Sequence, residues 1–149
     1  MGPEGISTPR RIFGKWIPPL FLLLLVLFAF YKIATFQKFP AGNDIRDLFY
    51  PRKVFYAEQI KNFSLPLWTS YINNGFPLHS QSQTGIFYPI NLLLYFFLPT
   101  HIAFNLNIVL HFFLAGIFTY LYARTIGLGE LPSLVSSFIF VFNGFLIKQ

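Results

Sequence analysis

Three apolar runs, at residues 16–36, 101–124 and 133–149, restrict this chain to very few architectures. The first two are long enough to cross a bilayer, for which about 20 apolar residues suffice. Only 11% of the 149 residues are charged and 54% are hydrophobic, a balance far from that of a soluble domain. Mean hydropathy is +0.55. The expected fold class is all-α and integral to a membrane, with about three transmembrane helices. A long first external loop holds short interfacial helices.

The expected order runs as follows. Residues 1–15 form a basic leader with Arg10, Arg11 and Lys15. Residues 16–36 are a first span, with Pro18 and Pro19 in its opening turn, where a missing N–H matters least. A secretory signal is the rival for this run, but Ala34-Thr35-Phe36 offers no small-x-small cleavage site. Residues 37–100 are an external loop, 101–124 a second span, 125–132 a cytoplasmic turn and 133–149 a third, truncated span. The basic leader places the N-terminus in the cytoplasm and the loop outside. Arg124 then ends the second span on the cytoplasmic side. From the shortness of the third run the chain is expected to be the N-terminal piece of a longer protein.

The loop concentrates the polar chemistry. Pro51 to Lys61 reads as a surface helix, with Val54, Phe55 and Ile60 along its apolar side and Arg52, Lys53, Glu58 and Lys61 on the polar remainder. Leu65 to Thr84 is broken by Pro66, Asn73-Asn74-Gly75 and Pro77. Ile86 to Leu98 is apolar but too short to span, and reads as a re-entrant or interfacial helix.

Composition also excludes function classes. With no cysteine, disulfides, thiolate catalysis and cysteine metal sites are absent. The net charge of +6 flanks membrane segments, so lipid headgroups or phosphates are expected partners rather than nucleic acid. No phosphate-cradling Gly loop, nucleophile elbow or dinucleotide fingerprint is present. The 21 Phe carry no functional assignment.

A series of short motifs runs through the chain. They are Asp44-x-x-Asp47-x-Phe49-Tyr50-Pro51, Leu65-Pro66-Leu67-Trp68, Gly75-x-Pro77-Leu78 and Phe87-Tyr88-Pro89-x-Asn91-Leu92-Leu93. His111-x-x-Leu114-Ala115-Gly116, Tyr120-x-x-x-Arg124-x-x-Gly127-Leu128 and Phe142-x-Gly144-Phe145 follow. In this order and spacing the chain resembles the start of the bacterial YfhO family of membrane proteins, from about Ala41 to Phe145. Two positions depart from the family pattern: Thr69 follows Trp68 where Asn is usual, and Asn143 precedes Gly144 where Ser is usual. The resemblance implies the N-terminal portion of a GT-C-like glycosyltransferase of the cell membrane. Such an enzyme takes sugar from a polyprenyl-phosphate carrier and delivers it to an envelope polymer or lipid. It also implies an essential acid in the first external loop, Asp44 or Asp47. The alternative is a non-catalytic scaffold or a component of a lipid-linked sugar flippase.

Glycosyl transfer needs a base, a cationic group for the departing phosphate and a surface for the sugar. Asp44 is the expected base, because it precedes the helix and can reach a cleft. Asp47 is the runner-up, or the cap of the helix that follows. Arg46, Arg52 and Lys53 are candidates for the phosphate. Trp68 and Tyr88 are candidates for stacking on sugar, as is Tyr71; His79 and Gln83, with Gln81, are candidates for its hydroxyls. Glu58 is expected to pair with Lys61 or Arg52. His111, Asn105 and Asn107 lie within the second span, where interhelical hydrogen bonding is the simpler account. The sequence spells no metal centre. A divalent cation bridging Asp44 or Asp47 to phosphate is the one cofactor the chemistry admits.

Overall fold

The computed structural model describes residues 17–35, 42, 44–72 and 74–144. Its order is α1 (Ile17–Ala29), α2 (Tyr31–Ala34), a π turn (Ile45–Phe49), α3 (Tyr50–Lys61), two 3₁₀ turns (Leu78–Ser80, Ser82–Thr84), α4 (Pro89–Phe97), α5 (Thr100–Thr125) and α6 (Glu130–Val141). The protein is all-α. Among the described residues the only β feature is an isolated antiparallel bridge between Thr69 and Phe76.

Proline sets several boundaries. Pro89 opens α4, and Tyr88 before it is extended, as steric conflict with the ring demands. Pro99 ends α4 in the same way by forcing Leu98 extended, and α5 starts at once. Pro51 lies in the first turn of α3. It has no N–H to offer the carbonyl four residues back, and the helix widens into the π turn ahead of it.

At 26 residues and about 1.5 Å per residue, α5 exceeds the roughly 30 Å of a bilayer core. Among the described residues it is the one helix long and apolar enough to cross a membrane; α1 and α6 are shorter apolar helices. The end of α5 is a Schellman cap. Leu128 N–H bonds to Ala123 O at 3.1 Å and Gly127 N–H to Arg124 O at 3.2 Å. Gly127 takes φ +93 there, a left-handed value that a side chain would oppose.

α1, α5 and α6 pack together around small side chains. Ser133 and Ser137 of α6 are fully buried, and their hydroxyls donate to the carbonyls of Gly129 and Ser133, at 2.7 and 3.0 Å. A Cβ added to Gly116 would come within 3.1 Å of Val141, so this glycine lets α5 and α6 approach. Leu22 and Val26, one turn apart, are the buried side of α1. Val26, Val109 and Val141 form the core of this bundle, with Phe30 and Phe112 packed against it. A second core lies where α3 and α4 meet the start of α5, built from Tyr56, Ala57, Ile60, Leu78, Ile86, Tyr95 and Ala103. Lys61 Nζ donates to Leu98 O at 2.9 Å and ties the end of α3 to the corner before α5.

Four expectations need correction. The described part of the first span is two helices, α1 and α2, separated at Phe30, whose ring packs against Phe112 at a centroid distance of 4.5 Å; Trp16 and Phe36 lie outside the described residues. The third helix starts at Glu130 rather than Ser133, because Pro132 is tolerated in a first turn; residues 145–149 lie outside the described residues. The buried side of α3 is Arg52, Lys53, Tyr56, Ala57 and Ile60: Ile60 is buried as expected, but Val54 and Phe55 are only half-buried and two cations take the inner face. Asp44 does not stand free of a helix: its backbone is already helical where the π turn begins.

Candidate functional site

The polar groups gather in a cleft of about 440 Å³ between α3, the 83–88 turn, α4 and α5. Lys53, Gln83, Tyr88, Asn91, Asn107 and His111 line it, with Gly85, Ile108 and Phe112. Only Lys53, Gln83 and Tyr88 of these were singled out as site residues in the sequence.

Lys53 is 9% exposed. Its ammonium donates to Thr84 O at 2.6 Å and lies 5.0 Å from the centre of the Tyr95 ring and 5.5 Å from that of Tyr56. Among the described residues no carboxylate is paired with it. Burial pulls its pKa down to about 8, because a cation out of water loses solvation that ring faces and one carbonyl replace only in part. Burial acts oppositely on the two phenols. It pushes Tyr56 up to about 12 and raises Tyr95 further. Tyr56 Oη donates to Ile86 O at 3.0 Å. The Tyr95 hydroxyl is buried with no hydrogen bond; the Asn107 amide is near enough to oppose its shift but not in hydrogen-bonding geometry.

A chain of amides frames the other wall. Asn91 Nδ2 donates to Gly85 O at 2.8 Å and reaches Thr84 O at 3.4 Å. Asn107 Nδ2 donates to Asn91 Oδ1 at 2.7 Å, which couples α5 to α4. Gly85 takes φ +60, and a Cβ there would sit 2.7 Å from Asn91 Nδ2; both the conformation and the close approach need glycine. His111 contacts Asn107 O through Nδ1 at 2.7 Å and Tyr88 Oη through Nε2 at 2.9 Å. Thr84 Oγ1 is buried without a partner at the same wall.

The remaining predicted residues lie elsewhere. Asp44 and Asp47 do not line the cleft. Asp47 is held by Arg46 in an exposed pair, Nε to Oδ1 at 2.7 Å, and makes no side-chain cap. Arg52 is buried, donates to Gln81 Oε1 at 3.1 Å and packs 5.0 Å over the Phe76 ring; its Nε has no partner. Trp68 is exposed and covers Gly75, where a Cβ would collide with the indole. His79 is exposed and bonds through Nδ1 to Leu67 O at 2.9 Å. Glu58 pairs with neither Lys61 nor Arg52; among the described residues the one ion pair is Arg46–Asp47. No group of three metal-ligating side chains gathers among the described residues.

Asn91, Asn107 and His111 escaped assignment as site residues. The spacing of Asn107 and His111, four apart on one helix, does place both on one face. Their partners, Asn91 and Tyr88, come from a separate helix and turn that only the tertiary fold brings near. No family model, curated protein or solved structure matches the chain.

Proposed function

We propose that this chain belongs to a membrane protein of the YfhO type that moves a sugar from a polyprenyl-phosphate carrier to an envelope polymer or lipid. The observation that carries this reading is Lys53, a buried cation with no carboxylate partner among the described residues, facing a polar cleft beside a membrane-length helix. A buried, unpaired charge is costly. A ligand phosphate would supply the missing anion, and Gln83, Asn91 and Asn107 would offer hydrogen bonds to it or to a sugar.

Membrane insertion is supported by the surface of α1, α5 and α6. Phe28, Phe118, Tyr122, Leu131 and Ile139 are more than half exposed, while Ser133 and Ser137 are buried. Apolar groups outside and small hydroxyl groups between helices suit lipid as the solvent. In this reading the N-terminus is cytoplasmic and the segment from α3 to α4 faces outward, where a carrier headgroup lies.

The test is transfer of radiolabelled hexose from polyprenyl phosphate by the full-length protein that carries this segment, in lipid vesicles. Wild type should transfer, and Lys53→Met should weaken donor binding by about tenfold or more, the loss of a charge-assisted contact. Absence of transfer by wild type, or unchanged donor binding in Lys53→Met, would refute the reading.

A further inference from the structure

We propose that Tyr88 and His111 form the proton-accepting pair of the cleft, taking the proton from an acceptor hydroxyl bound opposite Lys53. This rests on the glycosyl-transfer reading above and moves the base from the acidic turn to a pair joined across two elements.

The geometry fixes the histidine tautomer. Asn107 O can only accept, so its 2.7 Å contact needs a hydrogen on His111 Nδ1. A neutral imidazole then carries its lone pair on Nε2. Tyr88 Oη, 2.9 Å away, donates to that nitrogen. A phenol that donates its hydrogen keeps lone pairs for a second hydroxyl, and Tyr88 lines the cleft. Both partners are anchored. His111 is one turn beyond Asn107, whose amide is fastened to Asn91. Tyr88 N–H is bonded to Gly85 O at 3.1 Å, and Pro89 restricts its backbone.

The other groups suit the role less. Among the described residues Lys53 is the only other titratable side chain lining the cleft, and its ammonium is engaged with Thr84 O. No carboxylate among the described residues lines it. Asp47 is paired with Arg46 on the exposed side.

The step balances. The acceptor oxygen bonds to the anomeric carbon as the bond from that carbon to the phosphate oxygen breaks. The bonding pair leaves with the phosphate, whose extra negative charge faces Lys53. The acceptor's proton passes to Tyr88 Oη while Tyr88's own proton passes to His111 Nε2. One imidazolium and one added phosphate charge result.

Two measurements test this. In vesicles with radiolabelled polyprenyl-phosphate hexose, His111→Gln and Tyr88→Phe should each lower kcat by about 100-fold or more, the usual scale for a lost general base, with KM for the donor unchanged. Nitrogen NMR of the protein in micelles should show the His111 proton on Nδ1 and an Nε2 resonance that shifts in Tyr88→Phe, a variant that keeps the ring and its packing. Near-wild-type kcat in both variants, or a proton on Nε2, overturns the pair. If wild type moves no sugar, the glycosyl-transfer reading fails by itself. The NMR result then decides the pair: Nδ1 protonation with a Tyr88-dependent Nε2 supports it, and any other result rejects it.

Discussion

Replacing Lys53 by Met separates stability from function. In the folded protein burial brings the Lys53 pKa from its ordinary 10.5 to about 8. At about 1.4 kcal/mol per pKa unit, holding the ammonium there costs roughly 3 kcal/mol. Met fills nearly the same space without charge. It forfeits the bond to Thr84 O, a charge-assisted contact of about 1.5–3 kcal/mol, although Asn91 Nδ2 stays within 3.4 Å of that oxygen. The net expectation at pH 7 runs from neutral to roughly 2 kcal/mol more stable. The pH dependence is more distinctive. Between pH 8 and 10.5 the unfolded chain binds more protons at Lys53 than the folded one, so wild-type stability rises across that window. Tyr56, pushed up to about 12, acts in the opposite sense: its folded state keeps the proton longer, so stability falls above about pH 10. Wild type should therefore be most stable near pH 10, and Lys53→Met should lack the rise before it. Reversible unfolding in mixed micelles, followed from pH 7 to 11, measures both. A Lys53→Met variant destabilised by more than about 2 kcal/mol at pH 7, or a flat wild-type profile between pH 8 and 10, would show that the ammonium is a satisfied structural cation.

Other outcomes follow from single contacts. Gly85→Ala should lose about 1–3 kcal/mol by the same unfolding assay, because its Cβ would meet Asn91 at φ +60; it should also weaken donor binding by disturbing the cleft wall. Gly116→Val should push α6 away from α5 at Val141 and destabilise by about 1–3 kcal/mol, with a smaller effect for Gly116→Ala. Asp44→Asn and Asp47→Asn should each transfer sugar within about threefold of wild type, since threefold is under 1 kcal/mol and neither side chain lines the cleft. A fall of about 100-fold in either would return the base to the acidic turn.

The helices were legible where apolar runs and proline agreed. The start of α3 at Pro51, the short α4 after Pro89 and the long α5 all follow from local rules. The burial of α3 was not legible. Val54, Phe55 and Ile60 suggested one apolar side, yet Arg52 and Lys53 point inward because Phe76, Tyr56 and Tyr95 offer ring faces to the cations. Tyr56 lies on α3 itself, but Phe76 and Tyr95 come from distant segments, so no local pattern announces the full set. The acid pair was legible as residues but not as geometry: Arg46, its neighbour in sequence, takes Asp47. His111 was visible as a polar group within a span, whereas its link to Tyr88 depends on a turn that Gly85 sets 26 residues earlier in the chain.

The central claim is that a carrier phosphate enters the Lys53 cleft from the non-cytoplasmic side. Because the chain has no cysteine, Gln83→Cys places a single thiol at an exposed position on the cleft. An impermeant maleimide applied outside sealed vesicles of known orientation should label it, polyprenyl phosphate should protect it, and Lys53→Met should abolish the protection. Labelling only from the cytoplasmic side, or equal labelling with and without polyprenyl phosphate, would contradict the account.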